Sequence, residues 1–283
     1  MQTPQTRLTI YLVLLVIFTL AASLLTAGIN PSSPAAALLT MTSPALAALL
    51  ASLLTRRSLK EIGWRVTPVK WLGLGWILPI LYAVPAYALL WLTGLGGVPN
   101  PTFLERARLT LNLPNAPDGL LIIAAFFYIT LVNLIPAMIL SLGEEIGWRG
   151  FLVPELSKWL GLRNAALLSG LIWAGWHLPG VLSGAYGAGA TPLAYRLACF
   201  TVMVVTSGVL MAWLRMKSGS VWAVAVMHAT HNGVIQTFLD RITYDTGHTA
   251  YFSGEFGAAL LPLLLLMAWM VWKQMGKMES QTA

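Results

Sequence analysis

The chain has 283 residues, 57% of them hydrophobic and only 10% charged, with a formal net charge of +7 and a mean hydropathy of +0.74. A soluble globular domain carries roughly 25% charged residues, so this composition excludes an ordinary soluble protein and points to a helical membrane protein. The basic residues flank apolar runs instead of forming a patch with stacking aromatics, which excludes nucleic acid as a partner. The single cysteine, Cys199, excludes an intrachain disulfide or a thiolate metal cluster and reads as a packing residue.

Eight apolar segments predict helices at about 8–27, 35–54, 69–93, 119–143 (continuing), 163–178, 193–214, 219–239 and 256–272. The fold class is therefore all-α, a polytopic bundle of about eight transmembrane helices forming one integral membrane domain over 1–283. Continuous Leu- and Ala-rich runs, without the alternation of a β-barrel strand, set that alternative aside. The first segment follows Arg7 and exceeds the roughly 7–15 apolar residues of a signal peptide, so it reads as an uncleaved helix. Turn residues mark the connections NPSSP (30–34), GLGGVPNP (94–101), LPNAPDG (113–119), SGAYGAGATP (183–192) and YDTGHT (244–249). Between two of them, 102–113 reads as a short amphipathic helix on the membrane surface. With eight crossings, one side receives twelve basic residues and the other only Arg106, Arg108, Arg196 and Arg241, with Arg149 left aside as intramembrane. That bias places both termini in the cytoplasm, and the lipid bilayer of a prokaryotic plasma membrane is the expected setting.

Ionisable groups at membrane depth usually line a cavity and mark a function. Glu144, Glu145 and Arg149 close the fourth segment, His177 lies in the fifth, and His228, His231 and Asn232 lie in the seventh. On a helix Glu145 and Arg149 share a face, with the acid N-terminal to the base, whereas Glu144 lies about 100° away. Glu145–Arg149 is then a structural pair and Glu144 the free carboxylate, suited to proton transfer. If the fourth helix continues to about Leu160 and the chain turns near Gly161, two limbs of ~16 residues return Glu144 and His177 to one depth. Pro179 is expected to end or kink the fifth helix just beyond His177. His228 and Asn232 are one turn apart and face the same way, so a catalytic core over 119–239 gathers these groups around a cavity opening toward the cytoplasmic side. Each group alone has a structural reading as well, an interhelical hydrogen bond or an ion pair. His231 reads as a hydrogen bonder or pocket wall, His248 as a solvated loop residue, and Trp148, Trp173 and Trp176 as cavity walls.

Together these residues resemble the CPBP family of intramembrane proteases, also called the CAAX protease or Abi family, which includes the type II CAAX prenyl endopeptidases. Glu144-Glu145-Ile-Gly-Trp-Arg149 meets its EExxxR motif, Trp173-Ala-Gly-Trp-His177 its FxxxH motif with Trp for Phe, and His228-Ala-Thr-His-Asn232 its HxxxN motif. The resemblance covers roughly 140–235 and implies endoproteolysis of a membrane-associated protein or peptide. It further implies that Glu144 and His177 activate a water, that His228 and Asn232 stabilise the oxyanion, and that Glu145, Arg149 and Trp173 support the site. Zinc held by Glu144, His177 and His228 remains a second option beside the favoured metal-free mechanism, since one carboxylate and two histidines would leave a position for water. A proton- or ion-coupled transporter and an idle scaffold or immunity protein are the competing functions. The natural substrate, its prenylation and the oligomeric state are not legible in the sequence.

Overall fold

A computed structural model describes residues 2–26, 28–29 and 33–281, so residues 30–32 of the NPSSP connection lie outside the described residues. Pro4 opens α1 (Pro4–Leu25), where the Thr3 hydroxyl accepts from the Thr6 N–H at 3.3 Å. Next come α2 (Pro34–Leu54) and α3 (Val69–Leu92). The amphipathic segment forms α4 (Pro101–Leu111), capped by the Asn100 side chain and ended by Asn112 at φ 52°. It buries Phe103, Leu104 and Ala107 and leaves Leu109 83% exposed.

The fourth apolar run is broken. Its first limb is α5 (Asp118–Phe127) with a π-helical turn at Tyr128–Val132; its second is α6 (Leu134–Gly147), a π turn at Trp148–Leu152, and α7 (Val153–Leu160). The limbs meet at 46° across Asn133, consistent with the habit of π turns to mark kinks. As expected, the chain turns at Gly161, whose φ of 78° favours glycine. The returning helix is α8 (Leu162–Leu182). Pro179 does not end it, and the helix runs on to Leu182.

There follow α9 (Leu193–Ser218), α10 (Val221–Asn232), a π-helical stretch at Gly233–Leu239, the short α11 (Asp240–Ile242) and α12 (Leu261–Ser280). All eight expected segments are helical, and among the described residues the sole bridge of strand type is Gly97–Tyr244. By length and apolarity, however, five helices suit a membrane crossing, or six if the bent pair is one span. The count falls short of eight for two local reasons. α10 keeps regular α geometry for only 12 residues, and α12 carries Lys273, Lys277 and Glu279 in its last turns. On α1, Val13, Val16, Ile17, Leu20 and Leu24 are all exposed. In water such a stripe would be a liability, whereas lipid accepts it.

α6 packs between α2 and α10, α10 also rests on α3, and α8 on α9. Two glycines allow the first contact: a Cβ on Gly143 would lie 2.6 Å from the Met41 carbonyl oxygen, and one on Gly147 2.5 Å from Pro44. One end of the bundle is basic and closed. There the buried Arg57 Nε donates to Glu155 at 2.8 Å, Lys158 reaches the same carboxylate at 2.7 Å, and Arg7 lies 3.6 Å from it. Arg163 pairs with Glu279 at 2.7 Å, so the first and last helices have their terminal ends on this side. Beneath the ion cluster Tyr11 stacks on Phe151 at 4.9 Å, filling the core.

Candidate active site

The site begins where α6 passes into its π turn. Glu145 and Arg149, both fully buried, form the expected i,i+4 pair with Nη1 donating to Oε1 at 2.8 Å. The same Oε1 accepts from His228 Nδ1 at 2.9 Å, which ties α6 to α10. The Arg149 guanidinium lies over the Trp173 ring, 4.2 Å from its centroid, and a buried cation gains from such a face. α9 leaves room for it: a Cβ on Gly208 would come within 3.3 Å of Arg149 Nη2.

Glu144 has no cationic partner among the described residues. Its Oε2 instead accepts from two indoles, Trp173 Nε1 at 2.8 Å and Trp148 Nε1 at 3.2 Å, which leaves its other oxygen for the cavity that the residue lines. Glu144 is thus free of the arginine, as expected, but it is held from behind. Trp148 and Trp173, expected as cavity walls with Trp173 supporting the site, thus also donate hydrogen bonds. Trp148 is four residues after Glu144, the spacing at which a helical side chain can reach back. The Trp-for-Phe change in the second motif likewise supplies an N–H that phenylalanine lacks. Trp173→Phe therefore keeps the ring beneath Arg149 but removes one hydrogen bond to a carboxylate. A loss of about 1.5–3 kcal/mol in stability is expected, read from thermal unfolding in detergent.

Trp173 serves a second side chain through its backbone. His177 Nδ1 lies 2.9 Å from the Trp173 carbonyl, which only accepts, so Nδ1 carries the proton and Nε2 presents its lone pair. Trp176, Tyr186 and Phe200 surround the ring at centroid distances of 4.8, 5.4 and 5.3 Å. On α10, His228 is 4% exposed. Its Nδ1 is given to Glu145, so Nε2 is the atom left for the cavity. Asn232 follows one turn later.

Glu144, Trp173, His177, His228 and Asn232 all line one cavity of about 650 Å³. Glu145 and Arg149 stand behind it. The cavity extends away from the basic end, since Ser23 in the last turn of α1, Thr26 and Ile29 after it, and Ser183 and Ala185 after α8 also line it. The lining does not confirm the expected opening toward the cytoplasmic side, and the ion cluster and the packing of Tyr11 on Phe151 fill the basic end.

A second glutamate–histidine pair borders the cavity, and no motif or helical spacing marks its acid. Glu255, in the loop before α12, accepts from His231 Nε2 at 2.8 Å and Gln236 Nε2 at 3.0 Å, and from the Tyr186 hydroxyl. His231 Nδ1 meets the Tyr82 hydroxyl at 2.5 Å. Both His231 nitrogens are thus engaged, in keeping with its reading as a hydrogen bonder.

The residues named for zinc do not gather into a ligand set: among the described residues, no three or more His, Cys, Asp or Glu are placed to hold a metal ion.

No curated protein matches the chain. Residues 120–234, which carry all three motifs, match the family model described as Type II CAAX prenyl endopeptidase Rce1-like. That match falls on helices that build this cavity and supports the resemblance of this stretch to the CPBP family of CAAX proteases.

Proposed function

We propose that the protein is an intramembrane endopeptidase that hydrolyses a peptide bond of a membrane-associated or CAAX-like substrate, with 119–239 as its catalytic core. The observation that carries this reading is the gathering of Glu144, His177, His228 and Asn232 on one cavity. The open Glu144 oxygen takes a proton from a water that His177 Nε2 orients, and the water oxygen attacks the scissile carbonyl. His228 Nε2 and the Asn232 amide donate to the oxygen that becomes negative, and Glu145 supplies the counter-charge for a doubly protonated His228. Glu144 then returns its proton to the departing amine, so the carboxylate is regenerated and two fragments leave. Trp173 and Trp148 hold Glu144 in place, and Trp173 also fixes the ring of His177.

This route needs no metal. Cleavage is expected to persist after dialysis against EDTA, assayed by mass spectrometry of peptide fragments, and zinc-dependent recovery of a lost activity would overturn it. With the basic end read as cytoplasmic, the substrate reaches the site from the opposite end or laterally from lipid. The reading is tested by incubating the purified protein in liposomes with prenylated and unprenylated C-terminal peptides. Fragments made by the wild type and absent with Glu144→Ala support it; fragments equally abundant with both refute it.

A further inference from the structure

The end of the bundle opposite the basic rim holds four arginines outside the catalytic cavity, and three of them form no ion pair among the described residues. Arg108 pairs with Asp118, and Arg196 donates to the Gly187 carbonyl at 2.5 Å. Arg106 on α4 and Arg241 on α11 line one pocket of about 340 Å³, and neither forms an ion pair among the described residues. Asp240, which interacts electrostatically with Arg241, accepts from the Tyr87 hydroxyl and lines a different cavity, and Glu105 beside Arg106 is exposed.

Arg106 and Arg241 are both exposed and line the same concavity, where an anion would offset their mutual repulsion. The elements that carry them are joined through the backbone. The Asn100 N–H donates to the Ile242 carbonyl at 2.7 Å, and Gly97 and Tyr244 exchange hydrogen bonds of 3.0 and 2.8 Å, so the start of α4 is fastened to the end of α11. Around the arginines stand the hydroxyl-bearing Thr102, Thr110 and Thr237, while Phe103 and Ile129 supply an apolar wall. Leu109, one turn from Arg106 and largely bare, marks α4 as a helix at the lipid boundary. An anion here meets two forked donors and then an apolar face, the division found in a phospholipid.

We propose that this pocket binds the phosphodiester headgroup of an anionic phospholipid between Arg106 and Arg241. Arginine matches phosphate oxygens two at a time, and the interface supplies such groups at high local concentration. The site touches the catalytic helices at their bends: Tyr128, Asn133 and Thr237 line it, at the broken fourth run and in the π stretch directly after Asn232. A bound headgroup therefore braces the ends of the segments that carry Glu144 and Asn232.

The test uses the full-length protein in detergent, titrated with phosphatidylglycerol, phosphatidylcholine or inorganic phosphate. Bound lipid is read by native mass spectrometry and stabilisation by the unfolding midpoint. Phosphatidylglycerol is expected to raise the midpoint, with little effect from the other two. In the Arg106→Gln/Arg241→Gln form, affinity for phosphatidylglycerol should fall about tenfold or more. Arg108→Gln, which alters the same helix outside the pocket lining, should bind as the wild type does. The Arg106→Lys/Arg241→Lys form keeps both charges and should retain most of the shift, even where the glutamine form folds poorly. Equal binding of phosphatidylglycerol by the wild type and a folded glutamine form would overturn the proposal. So would loss of binding with Arg108→Gln as large as that with the pocket pair, or a full shift from inorganic phosphate alone, which would make the ligand a free phosphate.

Discussion

Glu144→Gln is expected to leave the fold intact and to lower peptide cleavage by about 10²–10⁴-fold, the range for removing a general base. The two effects separate because Glu144 does two things. Its Oε2 accepts from Trp148 and Trp173, and a glutamine carbonyl oxygen can accept from the same indoles. Its other oxygen faces the cavity, and an amide there cannot take a proton from water. The unfolding midpoint should therefore stay near that of the wild type while fragment yield collapses. A scaffold or immunity role would leave biological function nearly unchanged in this variant.

Arg149→Leu should act in the opposite order, on stability first. It leaves the fully buried Glu145 with His228 as its remaining partner, and breaking a buried pair from one side costs about 3–5 kcal/mol. It also removes the cation from the face of Trp173. Replacing both partners, Glu145→Leu with Arg149→Leu, should recover much of the stability, because a buried pair exchanged for apolar side chains is often close to neutral. Activity should not recover with it, since His228 loses the carboxylate that holds its Nδ1. Chemical unfolding and peptide cleavage measured on the same two variants check both statements. Equal recovery of stability and activity would show that Glu145 does not position His228.

Much of the bundle could be read from the chain because the physics involved is local. Apolar run length gives the helix positions, and the i,i+4 interval gives the Glu145–Arg149 pair. Equal limbs about Gly161 bring α6 and α8 together, and Trp173 does reach Glu144 across them. What escaped depends on distant partners or on irregular backbone. The interruption at Asn133 and the π stretch after Asn232 leave no mark in hydropathy. Glu255 meets His231 from a loop 24 residues away, a separation that no helical period encodes. The direction of the cavity followed from which end the core fills, and that rests on Tyr11 meeting Phe151 across 140 residues of chain. The tryptophans were visible as aromatic, but aromatic character alone does not say where an indole N–H points.

The central claim is that a water held by Glu144 and His177 attacks the peptide bond directly. Its most direct test is single-turnover cleavage in water enriched in oxygen-18, with mass spectra of both the fragments and the intact protein. The account predicts one heavy oxygen in the new carboxylate of the N-terminal fragment, no covalent adduct on the protein, and cleavage slowed about 10²–10⁴-fold in Glu144→Gln. An acyl adduct on the wild type, or undiminished cleavage by Glu144→Gln, would contradict it.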